Sequence, residues 1–233
     1  MNKLTKKLVL YIGGLLILAL GVNISKKAQL GISPISAIPY SFELIWGIEL
    51  GKATSLIYFL LIILQIILLR KNYKPIQLLQ IVCTYLFGIF ITYTGTEYLM
   101  SWLPILVTYV MKLLYLFISI VLIGTGVSLY LIPNYIPLPA EGIVNAIMEL
   151  GKGKLKFANV KIAVDVSFVI ISVILSIVFL GELKSVREGT VIAALLVGKV
   201  VGFMSKNYRQ RIMKWVEKDA KDEKNEKDAY NFS

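Results

Sequence analysis

Long stretches without a single charge constrain this chain more than any other feature. Residues 8–24 and 56–69 each run without an acid or a base. Their apolar residues cover every face of a helix rather than a stripe three or four apart. A helix apolar all round belongs in lipid or in a large core, and a chain of 233 residues cannot enclose many such helices in a soluble fold. Composition agrees. The chain is 57% hydrophobic and 17% charged, where soluble domains have about 45–50% and about 25%, and its mean hydropathy is +0.75. The expected class is an all-α polytopic membrane protein surrounded by a lipid bilayer.

Positions 1–7 and the apolar run behind them have the basic start and greasy middle of a signal peptide. No small-x-small cleavage site follows, so the run reads as a retained first span. Cys83 is the single cysteine and lies in an apolar run, where it serves as a small packing residue. Histidine is absent, which removes imidazole ligands and the usual base of nucleophilic catalysis. The net charge of +11 comes from bases at the ends of apolar runs. That placement suits orientation in a bilayer rather than nucleic-acid binding.

Self-similarity organises the chain. Gly21-Val22 and Gly126-Val127 each end a long apolar segment, 105 positions apart, and at the same offset Pro34 matches Pro139 and Ile38 matches Ile143. Glu49-Leu50-Gly51-Lys52 recurs as Glu149-Leu150-Gly151-Lys152, an offset of 100 at which Gln65 falls opposite Asp165. Gly88 then matches Gly198 at an offset of 110. The order points to an internal duplication, with one copy at 8–95 and the other at 109–205. Each copy reads long, short, long, long: helices at 8–25, 34–47, 53–70 and 76–95, then 109–132, 139–150, 157–180 and 188–205.

The six long segments approach the roughly 20 residues that a span requires. The two short ones open with Pro34 and Pro139, a residue well placed in a first helical turn, and reach only about 21 and 18 Å at 1.5 Å per residue. They re-enter the membrane or cross a thinned part of it. Six spans with two re-entrant half-helices invert the copies, whereas eight spans keep them parallel. The basic connection at 70–74 is cytoplasmic only with six spans, which favours six. Residues 1–205 then form one membrane domain. The charged tail at 206–233 is cytoplasmic in either case, with a basic amphipathic helix at 206–218 on the inner leaflet and disorder from 219 onward.

Leu30-Gly31-Ile32-Ser33-Pro34, Gly47 to Ala53, Pro139-Ala140-Glu141-Gly142 and Glu188-Gly189-Thr190 with Ala193 and Gly198 resemble the YczE/YitT-type family of bacterial membrane proteins. The likeness extends over 8–205 and implies a bacterial plasma-membrane protein, with no substrate or catalytic residues attached. Such proteins tend to carry an acid just after the first proline, where this chain has Ser36; the second copy keeps Glu141.

Charge inside the bilayer is the sharpest chemical signal, since an acid at mid-helix costs about 2.5–3.5 kcal/mol even on a mild scale. Asp165 is embedded in apolar sequence, either facing a polar cavity or lying near the inner interface. Glu141 occupies a first helical turn, where it either stabilises the helix N-terminus or joins a cation- or proton-coupling pair. Lys199 is a candidate counter-charge to Asp165, or else snorkels to the interface. Gln65 suits a hydrogen bond between helices. With six spans, Ser33, Pro34 and Ser36 are expected to meet Pro139, Ala140 and Glu141 at a central substrate site, as half-helix ends do in inverted-repeat transporters.

No phosphate loop, metal spacing or catalytic constellation is present, so neither an enzyme nor a metal or cofactor site is expected. The leading reading is a small secondary transporter or channel-like permease for a small solute or ion. The alternative is a membrane-embedded substrate-binding or accessory subunit working with a protein partner or as a homo-oligomer.

Overall fold

The computed structural model describes residues 3–104 and 107–230. It is built from helices, with no strand among the described residues. In order these are α1 (Lys3–Ala28), α2 (Pro34–Trp46), α3 (Leu50–Leu69), α4 (Gln80–Thr94), the single turn α5 (Glu97–Met100), α6 (Tyr109–Leu131), α7 (Pro139–Leu150), α8 (Phe157–Leu180) and α9 (Glu188–Tyr230). A 3₁₀ stretch, Pro75–Leu79, leads into α4. Six helical segments are long and apolar enough to cross a membrane: Lys3–Ala28, Leu50–Asn72, Pro75–Thr94, Tyr109–Leu131, Asn159–Leu180 and Glu188–Glu217. The protein is a multi-pass membrane protein with α2 and α7 as the two short helices. Pro34 and Pro139 each sit in the first turn, and Gly47 ends α2 in the left-handed conformation at φ 66°.

Cross-contacts fix the direction of each span. At one end of the bundle Lys6 Nζ donates to the Trp215 carbonyl at 2.9 Å, and the Tyr11 hydroxyl donates to that of Ile136 at 2.8 Å. At the other end Asn23 Nδ2 donates to Ile91 O at 2.8 Å, Lys112 Nζ donates to Gln29 at 2.9 Å, and the Gly189 amide donates to Leu30 O at 2.7 Å. The six spans therefore alternate in direction, and α1 and α9 have their Lys6 and Trp215 ends on one side. The helix α2 runs alongside α8 in the same sense, since Ser41 meets Ser172 and the Trp46 ring meets that of Phe179 at 5.4 Å.

The antiparallel pair α1 and α6 forms the spine. Helices in lipid gain little from apolar burial against one another, so close backbone packing over small residues holds them. A Cβ on Gly21 would stand 2.9 Å from the Ile123 amide, and one on Gly126 would stand 2.6 Å from the Leu18 amide. Around this spine α2 packs on α8, α7 on α3, α4 on α1 and α9 on α6.

Two expectations need correction here. The identical Glu-Leu-Gly-Lys segments occupy different places: Gly51 lies in the first turn of α3, whereas Gly151 caps α7. The connection between α7 and α8 is longer than that between α2 and α3, which shifts the register. Helix α9 also continues to Tyr230 without a break at position 206. The charged segment contains no proline or glycine, and its six lysines and three glutamates favour helix. Of the segment expected to be disordered, 219–230 is helical and 231–233 lies outside the described residues.

Candidate functional site

A cavity of about 530 Å³ lies between α3 and α8, floored by α2 and α7 and open on one side. From the short helices come Ile38 and Phe42, answered by Ile143 and Ile147 at an offset of 105. From the long helices come Ile57, Leu60, Leu61 and Leu64, answered by Val164, Ser167, Phe168 and Ile171 at an offset of 107. Every one of these positions in the first copy has its counterpart in the second. Ser167 is the only polar residue among them, and its hydroxyl donates to Ala163 O at 2.8 Å on its own helix.

Two buried polar ties anchor the short helices. Ser41, Ser172, Ser176 and Ser185 are fully buried. The Ser185 hydroxyl lies 2.9, 2.8 and 2.7 Å from those of Ser41, Ser172 and Ser176, and Ser172 Oγ donates to Ala37 O at 3.0 Å. In the other half Gln65 Nε2 donates to Pro139 O at 3.3 Å and to Gln80 Oε1 at 3.2 Å. At the 107 offset Gln65 corresponds to Ser172, so its counterpart is not Asp165. Both side chains do the same work, holding the first turns of a short helix against a long helix of the other copy.

A charged cluster lies where α7 begins. Glu141 is close enough to Lys161, Tyr130 and Asp165 to interact electrostatically. Glu141 Oε2 and the Tyr130 hydroxyl are buried and face each other outside regular hydrogen-bond geometry, and the Tyr135 hydroxyl is buried without a hydrogen bond. Tyr130 and Tyr135 each set a ring edge against Tyr11, at 6.0 Å between centroids. Asp165 Oδ1 accepts a hydrogen bond from Lys161 Nζ at 2.9 Å. One ammonium thus faces two carboxylates.

Among the described residues, the two groups expected to converge are not joined by hydrogen bonds. Ser33 Oγ donates to Ser36 Oγ at 3.2 Å in the first turn of α2, and both are buried. No hydrogen bond among the described residues joins that turn to Pro139 or Glu141. Each N-terminus packs on a long helix of the opposite copy, and the short helices share the cavity through their apolar faces instead. Lys199 is exposed on α9 and is no partner of Asp165, because Lys161 stands one turn away on the same helix. That i, i+4 spacing was readable in the sequence. Tyr130 and the serine tie were not, since a lone hydroxyl in an apolar run carries no signal until the fold brings another to it.

Among the described residues no three His, Cys, Asp or Glu side chains are grouped to hold a metal. No curated protein and no solved structure matches the chain. The likeness to YczE/YitT-type proteins therefore rests on the quoted motifs alone. A family model does match, over residues 5–206, and the chain belongs to that family, DUF6198, a family of unknown function.

Proposed function

We propose that this protein is a small secondary transporter or channel-like permease built on an inverted repeat, with its substrate site in the cavity between α3 and α8. One observation carries the reading: a single cavity is walled by corresponding residues of both copies. The equivalent helices α1 and α6 run antiparallel, and their contacts exchange under the repeat, Gly21 to Ile123 as Gly126 to Leu18. An axis relating antiparallel spans lies in the membrane plane, the arrangement that lets two halves exchange conformations around a fixed site. The Glu141, Lys161 and Asp165 cluster supplies the coupling charge.

The side carrying both Lys6 and Trp215 also carries the bases at 70–74 and 152–156 and those of the α9 extension, more than the opposite side has in Lys26, Lys27, Lys52, Lys112, Lys184 and Arg187. That asymmetry orients the N terminus and the α9 extension to the cytoplasm of a bacterial plasma membrane.

The test is reconstitution of the purified chain in liposomes with an imposed pH or sodium gradient. The expected result is gradient-driven uptake of a solute first identified by thermal-shift screening, since ligands of the folded state stabilise it by mass action. A second reading, an accessory subunit acting with a partner, is favoured by α9, where Gly198 and Gly202 are exposed with nothing within 4 Å of an added Cβ. Co-purification of a stoichiometric partner, with no flux by the chain alone, would establish that reading instead.

A further inference from the structure

We infer that the cavity between α3 and α8 takes the hydrocarbon chain of a membrane lipid, entering sideways from the leaflet opposite the N terminus. This rests on the permease reading only in taking the same cavity as the substrate site; it goes further by naming the class of molecule. The walls carry no charge, and the one hydroxyl among them, on Ser167, has its proton committed to Ala163 O. A polar solute entering here would leave its hydrogen bonds in water and find none in exchange. At about 530 Å³ the cavity is nonetheless of ligand size.

Its mouth is continuous with the lipid-facing surface. Leu60, Leu64 and Ile171 line the cavity and are 50%, 42% and 45% exposed, so a chain can pass from the bilayer into the cavity without leaving an apolar surface. The two ends of the cavity differ. Phe42, which lines it, packs its ring on Trp46 at 4.6 Å, and Trp46 packs on Phe179 at 5.4 Å. Trp46 is exposed and lies three residues from Glu43, which pairs with Lys26 at 2.6 Å. Tryptophan beside paired charges marks a membrane interface. The repeat counterpart of Phe42 is Ile147, which makes no such aromatic ladder. The headgroup end of the occupant therefore belongs at Trp46, with its tail running toward Ile143.

The probe is a phospholipid carrying a photoactivatable diazirine at mid-chain, incorporated in nanodiscs with the full-length protein. Adducts are expected on Ile38, Phe42 or Ile143 inside the cavity, as well as on lipid-facing Ile67 and Val178. Filling the cavity with Leu61→Trp, or with the milder Val164→Phe should the first fail to fold, is expected to lower the cavity adducts roughly tenfold and leave those on Ile67 and Val178 unchanged. Cavity adducts that are absent, or that fall no more than the surface ones in a folded variant, mean annular lipid only and overturn the proposal. Displacement of the cavity adducts by micromolar dodecanoate from solution overturns the bilayer as the source. Flux measured on the same variants reconstituted in liposomes separates the two readings. Adducts without flux remove the permease and leave the lipid site, and flux without adducts does the reverse.

Discussion

Asp165 is paired with Lys161, one turn back on the same helix, rather than with a base on another span. The two side chains are 20% and 26% exposed, between a surface pair worth about 0–1 kcal/mol and a buried one whose breakage costs about 3–5. Lys161→Met should therefore lower stability by about 1–3 kcal/mol, because it leaves both Asp165 and Glu141 without their counter-charge. Adding Asp165→Asn should recover about 1 kcal/mol or more of that loss, a coupling that a double-mutant cycle measures by thermal unfolding in detergent. Lys199→Met should change stability by less than about 0.5 kcal/mol.

Gly88 and Gly198 match in sequence and differ in the fold. A Cβ on Gly88 would stand 2.9 Å from the Gly51 carbonyl and closer still to the Ser55 hydroxyl, while Gly198 has nothing within 4 Å. Gly88→Ala should cost about 1–3 kcal/mol by forcing α3 and α4 apart. Gly198→Ala should be neutral or raise stability by up to about 1 kcal/mol, the usual gain in helix propensity. Melting temperatures of the two single variants give the comparison directly.

Long-range order in the sequence reads well where it rests on backbone requirements. Pro34 and Pro139 mark both short helices because a proline is well placed in a first helical turn, and charge-free length marks the spans. Identity of short motifs misleads. The repeated Glu-Leu-Gly-Lys aligns Gln65 with Asp165 at an offset of 100, yet the cavity walls of α3 and α8 correspond at 107, so Tyr58 is the counterpart of Asp165 and Ser172 that of Gln65. Apolar residues in α3 and α8 fit either register, and only the shared cavity wall selects one. The polar ties were illegible for a related reason: Ser185 lies in a loop, and its partners come from α2 and α8.

The direction of the spans sets an accessibility pattern. In a Cys83→Ser background, single cysteines at Asn72 and Gly153 should resist a membrane-impermeant thiol reagent in intact cells, and one at Lys184 should react. Permeabilisation should expose the first two. Labelling of Asn72→Cys in intact cells would reverse the orientation assigned from the basic residues, and protection of all three positions would contradict the alternating spans.

Tyr130 and Glu141 make opposite predictions for a structural and a coupling role. Tyr130 is 1% exposed, and its hydroxyl faces Glu141 Oε2 outside regular hydrogen-bond geometry. Leaving a buried hydroxyl unsatisfied costs about 1–3 kcal/mol, so if packing were its only task Tyr130→Phe would stabilise the protein. Two carboxylates against one ammonium leave the cluster one charge short of neutrality, a deficit that under the permease reading a proton or one monovalent cation removes. A sodium ion binds to oxygens, and here both the phenol and the carboxylate offer them. The unfolding temperature should rise when sodium chloride replaces choline chloride at equal ionic strength. That rise should be lost in Glu141→Gln and reduced in Tyr130→Phe, and should persist in Ser36→Ala, the corresponding position of the copy without the acid. If sodium has no effect, the same series run against pH tests the proton as the neutralising ion. Should Tyr130→Phe stabilise the fold while neither sodium nor pH discriminates among the variants, the acids are structural and the accessory-subunit reading gains accordingly.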